Sequence, residues 1–157
     1  MARYSLSKYT VTITTDNEAV NNLLIGSNTK VLTIGGNGSY TENITISLAN
    51  NLYSTNGYAT GGYVHDKNLS RVGTVAISLS QLSAEVQKFI NLCNHLIDPN
   101  NEEIELTITV YEAGKAPVAK CTGCVPSKIP DQSFGATATN QTWVFNAGII
   151  EFTPKTK

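Results

Sequence analysis

The sequence predicts a mainly β protein: antiparallel sheets folded into a sandwich or barrel-like form, with one helix laid across a side. Three observations predict it. Several short stretches alternate apolar and polar residues at a period of two, which half-buries a strand. One stretch, SLSQLSAEVQKFINLCNHLID over residues 78–98, instead repeats its apolar residues at three- and four-residue steps, as an amphipathic helix does. Finally, residues 49–69 are poor in aliphatic side chains and rich in Asn, Gly and Tyr, and read as an extended arm or loop.

Residues 8–14 alternate, with Tyr9, Val11 and Ile13 on one face and Thr10, Thr12 and Thr14 on the other. Residues 17–26 read as a helical turn or a covered loop, and residues 31–34 as a short strand ended by Gly35, Gly36, Asn37 and Gly38. Residues 42–48 alternate without a break, Ile44, Ile46 and Leu48 opposing Asn43, Thr45 and Ser47. In the arm, Asn56-Gly57 is a hairpin-turn signal. Its Tyr53, Tyr58 and Tyr63 favour contact over disorder, because disordered segments are poor in aromatic residues.

Residues 72–79 form a strand with Val75 and Ile77 inward and Thr74 and Ala76 outward. It runs directly into the helix. The helix stripe comprises Leu79, Leu82, Val86, Phe89, Ile90, Cys93, Leu96 and Ile97, while Gln81, Glu85, Lys88, Asn91, Asn94 and Asp98 fall off it. Ser78, Ser80 and Ser83 are candidate N-caps, and Pro99 with Asn100 and Asn101 ends the helix. Residues 103–111 are the cleanest strand, placing Ile104, Leu106, Ile108 and Val110 inward. Residues 118–124 are its partner after a turn, and residues 126–139 are irregular. Residues 142–152 close the chain as a strand carrying Trp143 and Phe145 on one face, broken at Gly148. The total is about seven strands, one helix and one arm in a single domain spanning residues 1–157.

A net charge of −1 with only 15% charged residues excludes a protein that grips nucleic-acid phosphates through clustered Lys and Arg. The first ten residues, MARYSLSKYT, have no signal-peptide core, and no apolar run spans a bilayer, so a soluble protein made without export is expected. The Asn-x-Ser/Thr triplets at Asn37, Asn43, Asn68 and Asn140 arise readily in so Asn- and Thr-rich a chain.

The search for chemistry yields little. Cys93 lies on the helix stripe and reads as a small core residue. Cys121 and Cys124 form one C-x-x-C; a zinc site needs two further ligands, for which Cys93, His65 and His95 are the candidates, and the second half of a zinc motif is missing. A redox reading is weaker still, because the pair does not open a helix. His95 sits in the last helical turn, where the dipole favours a cation. His65 adjoins Asp66, but neighbours on an extended chain point to opposite sides and no nucleophile motif surrounds them. The glycine run at residues 35–38 lacks the lysine and following helix of a phosphate loop. No catalytic residue, metal or cofactor is expected.

Interaction remains. The outward strand faces, Thr10/Thr12/Thr14, Asn43/Thr45/Ser47 and Thr74/Ala76, are small and neutral. An ordinary solvated sheet carries Lys and Glu that guard against edge-to-edge pairing, so a chain without them suits self-association.

The order of features, and two signatures in particular, resemble the tail tube proteins of long-tailed bacteriophages, most of all those with contractile tails. The signatures are Gly73-Thr74-Val75 leading into the helix, and Trp143-Val144-Phe145-Asn146-Ala147-Gly148-Ile149. The likeness runs over residues 42–152; the C-x-x-C and the makeup of the arm depart from it. The resemblance implies a structural, non-enzymatic virion protein, assembled in the host cytoplasm. Homohexameric rings would stack into a hollow tube that carries DNA. The partners implied are further copies of the chain and sheath, tape-measure, baseplate and terminator proteins. It places the ring-to-ring contact in the arm, with Tyr53, Asn56, Gly57, Tyr58 and Tyr63 as the interface. Asn43, Thr45, Ser47, Thr74 and Ala76 are the lumen-lining candidates, because a lumen without net attraction does not stall phosphates. Three other readings stand beside it: a carbohydrate- or ligand-binding sandwich with Tyr53, Tyr58 and Tyr63 as a sugar platform; the related tube protein of a bacterial contractile injection system; and a small enzyme using His65 or the C-x-x-C.

Overall fold

A computed structural model describes residues 9–15, 31–35, 41–82, 84–101, 103–112 and 117–152. Among these, ten strands and one helix follow in the order β1 (Tyr9–Thr14), β2 (Val31–Gly35), β3 (Thr41–Leu48), β4 (Tyr53–Gly57), β5 (Tyr63–Lys67), β6 (Gly73–Ser80), α1 (Ala84–Ile97), β7 (Leu106–Glu112), β8 (Pro117–Pro126), β9 (Asn140–Ala147) and β10 (Ile149–Phe152). All recorded pairings are antiparallel. The expected mainly β, sandwich-like fold is therefore present, but the strands do not close into a barrel.

Two layers share one strand. In the first, β2, β1, β7 and β8 lie side by side with β10 also on β8; in the second, β3, β6 and β9 do, and the end of β8 joins them. Strand β8 bends to reach both. Cys121 pairs with Ile108 and Ile150 in the first layer, whereas Val125 and Pro126 pair with Asn146 and Phe145 in the second. The bend falls at Gly123, whose φ of 65° is open to glycine at no steric cost. Beside it, Gly148 carries the chain from β9 back to β10, and its N–H donates to Thr122 O at 3.0 Å. Gly148 lies against the Thr122 carbonyl and the Gly123 backbone, so both crossings pass through one corner.

The inward residues follow the alternation read from the sequence. Val11 and Ile13 of β1, Val75, Ile77 and Leu79 of β6, and Trp143 and Phe145 of β9 are fully buried. The helix seals the space between the layers: the Phe89 ring lies 5.4 Å from Trp143 and 5.4 Å from Phe145. Fully burying each such side chain contributes about 1.5–3 kcal/mol.

The helix begins later than the periodicity suggests. Residues 78–80 belong to β6, because the ladder to β9 continues through Leu79↔Gln141 to Ser80↔Asn140. Ser78 and Ser80 are therefore not helix caps; Ser80 Oγ accepts from Leu82 N at 3.3 Å in the turn that follows. The third cap candidate, Ser83, lies outside the described residues. Leu79 serves the strand, Leu82 and Ile97 are exposed, and Leu92, left off the stripe, is fully buried. The stop at Pro99 holds. Asp98 Oδ1 accepts from Asn100 N at 2.9 Å, and Asn101 Nδ2 donates to the His95 carbonyl at 2.8 Å, satisfying an acceptor at the helix end.

The readings of residues 17–26 and of the glycine run at positions 36–38 fall outside the described residues. Gly35 itself ends β2. On β7, Thr109 alternates with the inward Ile108 and Val110, yet it is only 8% exposed between its partners Thr12 on β1 and Lys120 on β8.

Candidate functional site

The arm grows directly out of β3 and β6. That pair runs from Thr41↔Leu79 to Leu48↔Gly73 and then continues. Ala49 N donates to Val72 O at 2.9 Å and Asn68 N to Leu52 O at 2.8 Å, and the β4–β5 ladder takes over at Tyr53↔Lys67. Gly73 stands where the two halves meet. A Cβ there would run into the Ser47 carbonyl oxygen, so the close approach favours glycine.

The turn is not where the sequence suggests. Asn56 and Gly57 lie within β4, paired with Val64 and Tyr63. The chain reverses over residues 58–62, where Tyr58 O accepts from Gly61 N and Tyr58 N donates to Gly62 O, each at 2.9 Å. Gly61 has a φ of 91°, the left-handed position that a three-residue hairpin loop with a bulge requires. The Ala-Thr-Gly-Gly loop makes the turn in place of Asn-Gly, and the resulting register sets Tyr63 and His65 on the same face as Tyr53.

Strand alternation sorts the arm into two faces. Tyr53, Thr55, Gly57, Tyr63, His65 and Lys67 share one. On it, the His65 ring lies 5.0 Å from Tyr63 and 6.4 Å from Tyr53, its Nδ1 is 2.8 Å from Thr55 Oγ1, and the Lys67 ammonium sits 5.9 Å from the Tyr53 ring centre. The other face carries Ser54, Asn56, Val64 and Asp66, with Asn56 Nδ2 donating to Asp66 Oδ2 at 3.4 Å. His65 and Asp66 thus point apart, as adjacent strand residues must. Of the five expected interface residues, Tyr53, Gly57 and Tyr63 come together on one face, Asn56 lies on the other, and Tyr58 opens the tip. Every residue of β4 and β5 is exposed.

The lumen candidates also come together. Thr45 of β3, Ala76 of β6 and Val144 of β9 form one cross-strand row; Ser47, Thr74 and Asn146 form the next; Asn43, Ser78 and Thr142 occupy a third. Rows of this kind share a sheet face. Opposite them stand the buried Val75, Ile77, Trp143 and Phe145, so this is the outward face of the second layer. None of the nine residues is ionisable. Ser78, Thr142, Val144 and Asn146 were missed from the sequence, although strict alternation about Trp143 and Phe145 contains the signal. Among the described residues the outer edge of this sheet is β3, which has a ladder partner on one side only.

The C-x-x-C lies elsewhere, at the corner. Cys121 and Cys124 are free thiols with no exposure. Cys124 Sγ donates to the Cys121 carbonyl at 3.4 Å. Burial pushes the Cys121 thiol up to about 11, and burial followed by the neighbouring Cys121 pushes Cys124 to about 12. Such thiols are poor nucleophiles and poor metal ligands, since both roles need the thiolate. Cys93 is buried on the helix, as expected, and burial raises its pKa too. His95, half-buried in the last helical turn, has its Nδ1 3.3 Å from Asn101 Nδ2. Among the described residues no three His, Cys, Asp or Glu side chains group as metal ligands, and no helix is long and apolar enough to cross a membrane.

Comparison with known proteins accounts for this arrangement. No curated protein matches the chain. Among solved structures the fold is similar to a chain of an extracellular contractile injection system, the PVC sheath-tube complex in its extended state. The TM-score is 0.55 at 13% identity, with 96% of this chain and 93% of that chain covered. It is also similar to a chain of the PVC sheath/tube terminator in its extended state, with a TM-score of 0.51 at 14% identity and coverage of 98% and 99%. At such identities these likenesses speak for the fold. A family model described as Bacteriophage PhiTE tail tube protein matches residues 1–153, nearly the entire chain. The layered sheets, the projecting arm and that match together place the chain in the bacteriophage PhiTE tail tube protein family.

Proposed function

We propose that this tail tube protein acts as a single structural domain without catalytic activity, forming homohexameric rings that stack into a hollow tube. The neutral face of β3, β6 and β9 lines the lumen, with Asn43, Thr45, Ser47, Thr74 and Ala76 contributing to it. The arm, through Tyr53, Asn56, Gly57, Tyr58 and Tyr63, makes the contact between rings. DNA passes through without sequence-specific binding. A sheath surrounds the tube, and tape-measure, baseplate and terminator proteins complete a virion tail assembled in the host cytoplasm; the structural neighbours named for sheath-tube and terminator assemblies suit that setting.

The observation that carries this reading is the sheet face itself: nine residues in three rows without an ionisable group. An ion there would either hold phosphates or repel them, and a conduit needs neither. That face ends at the open edge of β3. Pairing with a neighbouring copy across that edge carries the sheet from one subunit to the next, which suits a chain whose low charge leaves sheet edges unguarded.

Negative-stain electron microscopy over a concentration series tests the proposal. Rings or hollow tubes of uniform width are the expected result. Replacing Thr45 and Thr74 with Lys leaves assembly in place and makes the tube retain short DNA at low salt. Monomers at every concentration sink the tube reading, and saturable glycan binding by the Tyr-bearing arm then becomes the function to test.

A further inference from the structure

The arm leaves the β3–β6 pair at Leu48 and Gly73. Past the opposite end of β6, beyond Ser80 and its partner Asn140, the surface carries a cleft of about 490 Å³. Gln81, Leu82, Phe134, Gly135, Thr137 and Ala138 line it, and none is charged. Leu82 is 71% exposed and Phe134 88% exposed, two large apolar side chains in water on one depression. An apolar patch of this kind marks an interaction site more often than an isolated exposed Leu does.

Phe134 does not sit on a slack loop. Gln81 Nε2 donates to Ser133 O at 3.3 Å, and Gln81 Oε1 accepts from the Thr139 amide at 2.7 Å and from its hydroxyl at 3.0 Å. The backbone adds Gln81 N to Thr139 O at 2.9 Å. From below, Gln141, only 4% exposed, donates from Nε2 to Gln132 Oε1 at 2.9 Å. One glutamine thus ties down both ends of the loop that holds the exposed ring. Holding the loop in place beforehand lowers the ordering cost of a contact made there.

We propose that this cleft receives the arm of a second copy of the chain. The proposal rests on the tube reading above and adds where the arm lands. Arm and cleft lie at opposite ends of the same strand pair, so a shift along the strands carries the arm of one copy toward the cleft of the next. Such a head-to-tail contact uses two different surfaces and repeats without closing, which is the geometry of a stack. The chemistry agrees. The arm tip, residues 58–62, is uncharged, and the exposed Leu52, Tyr53 and Tyr63 offer apolar and aromatic area along the arm. The uncharged tip on the uncharged cleft buries no unpaired ion, and the cleft has room for an aromatic side chain.

The test dopes two singly substituted full-length chains into an excess of wild-type chain. One carries Phe134→Cys; the other carries Leu52→Cys, Thr55→Cys or Tyr58→Cys together with a size tag. A short bismaleimide then joins neighbouring thiols, while the three native cysteines stay silent because they are buried. At least one arm position yields the cross-linked pair, and Thr12→Cys, on the other layer, yields none. In parallel, Phe134→Ser raises the concentration needed for tube formation about tenfold or more and leaves the Tm of the unassembled chain unchanged. Tubes that form normally with no cross-link at any arm position overturn the cleft assignment and leave the tube reading standing. A wild-type chain that never assembles overturns the tube reading itself, and the cleft assignment with it.

Discussion

The inner and outer halves of the β3–β6 hairpin share a backbone pattern and differ in almost everything else. Strand β6 alternates buried and half-buried residues along its whole length, with Val75, Ile77 and Leu79 sealed against Trp143 and Phe145. Further out along the same hairpin, β4 and β5 bury nothing. An isolated two-stranded hairpin is marginal in water, since two strands give side chains only one neighbour across the ladder. The arm nevertheless keeps its ladder and concentrates tyrosines on one face. The difference teaches that the core of this chain stabilises the inner half, whereas the outer half buries nothing against it, as suits the ring-to-ring contact proposed for the arm.

Substitutions that break the comparison should separate stability from assembly. The largest effect belongs to the sealed half. Trp143→Ala removes a fully buried indole from between Phe89 and its sheet and should cost about 3–5 kcal/mol of unfolding free energy, read from urea denaturation. Next comes the junction. Gly73→Ala forces a methyl group onto the Ser47 carbonyl and should cost about 1–3 kcal/mol, with the strands splaying where the arm begins.

The corner thiols predict a pH dependence. Both have pKa values raised in the folded chain above their unfolded value of 9.0, so the folded state holds protons that the unfolded state releases. Stability is therefore unaffected below about pH 9 and falls as the pH climbs through the folded values, up to about 12. Cys121→Ala with Cys124→Ala should flatten that alkaline loss in a series of denaturation curves. Rapid reaction of the native protein with a thiol reagent at pH 8 would contradict it.

Smaller effects lie in the arm. Gly61→Ala strains the left-handed tip and should cost about 1 kcal/mol, confined to faster amide exchange in β4 and β5. Tyr63→Ser should change the unfolding free energy of the unassembled chain least, within about 0.5 kcal/mol, yet abolish stacking. Equal losses from Tyr63→Ser and Trp143→Ala would erase the distinction between the two halves.

Much of this was legible in the sequence. The alternation in residues 9–14, 106–112 and 140–147 reports the core directly, because a strand with one wet face must repeat at a period of two. Periodicity failed where two periods overlap. Leu79 and Leu82 fit a helical stripe as well as a strand and its turn, and only the β9 ladder, reaching to Asn140, decides for the strand. Asn56-Gly57 failed because a second turn signal lay close by: the loop holding the left-handed Gly61 makes the reversal, and Asn56 and Gly57 pair within the ladder instead. The Leu82–Phe134 cleft was invisible, since Phe134 stands alone among polar residues in the irregular stretch after β8.

By itself, then, the sequence determined which residues are apolar at which spacing, and so the mainly β class, the helix, the arm and the neutral strand faces. Tertiary structure alone decided which strands become neighbours. Local chain chemistry carries no information about partners distant in sequence; sharing β8 between two layers needs a bend, which falls at the left-handed Gly123. The ladders of β6 with β3 and β9 set Thr45, Ala76 and Val144 in one row, and put the arm and the cleft at opposite ends of the same strands.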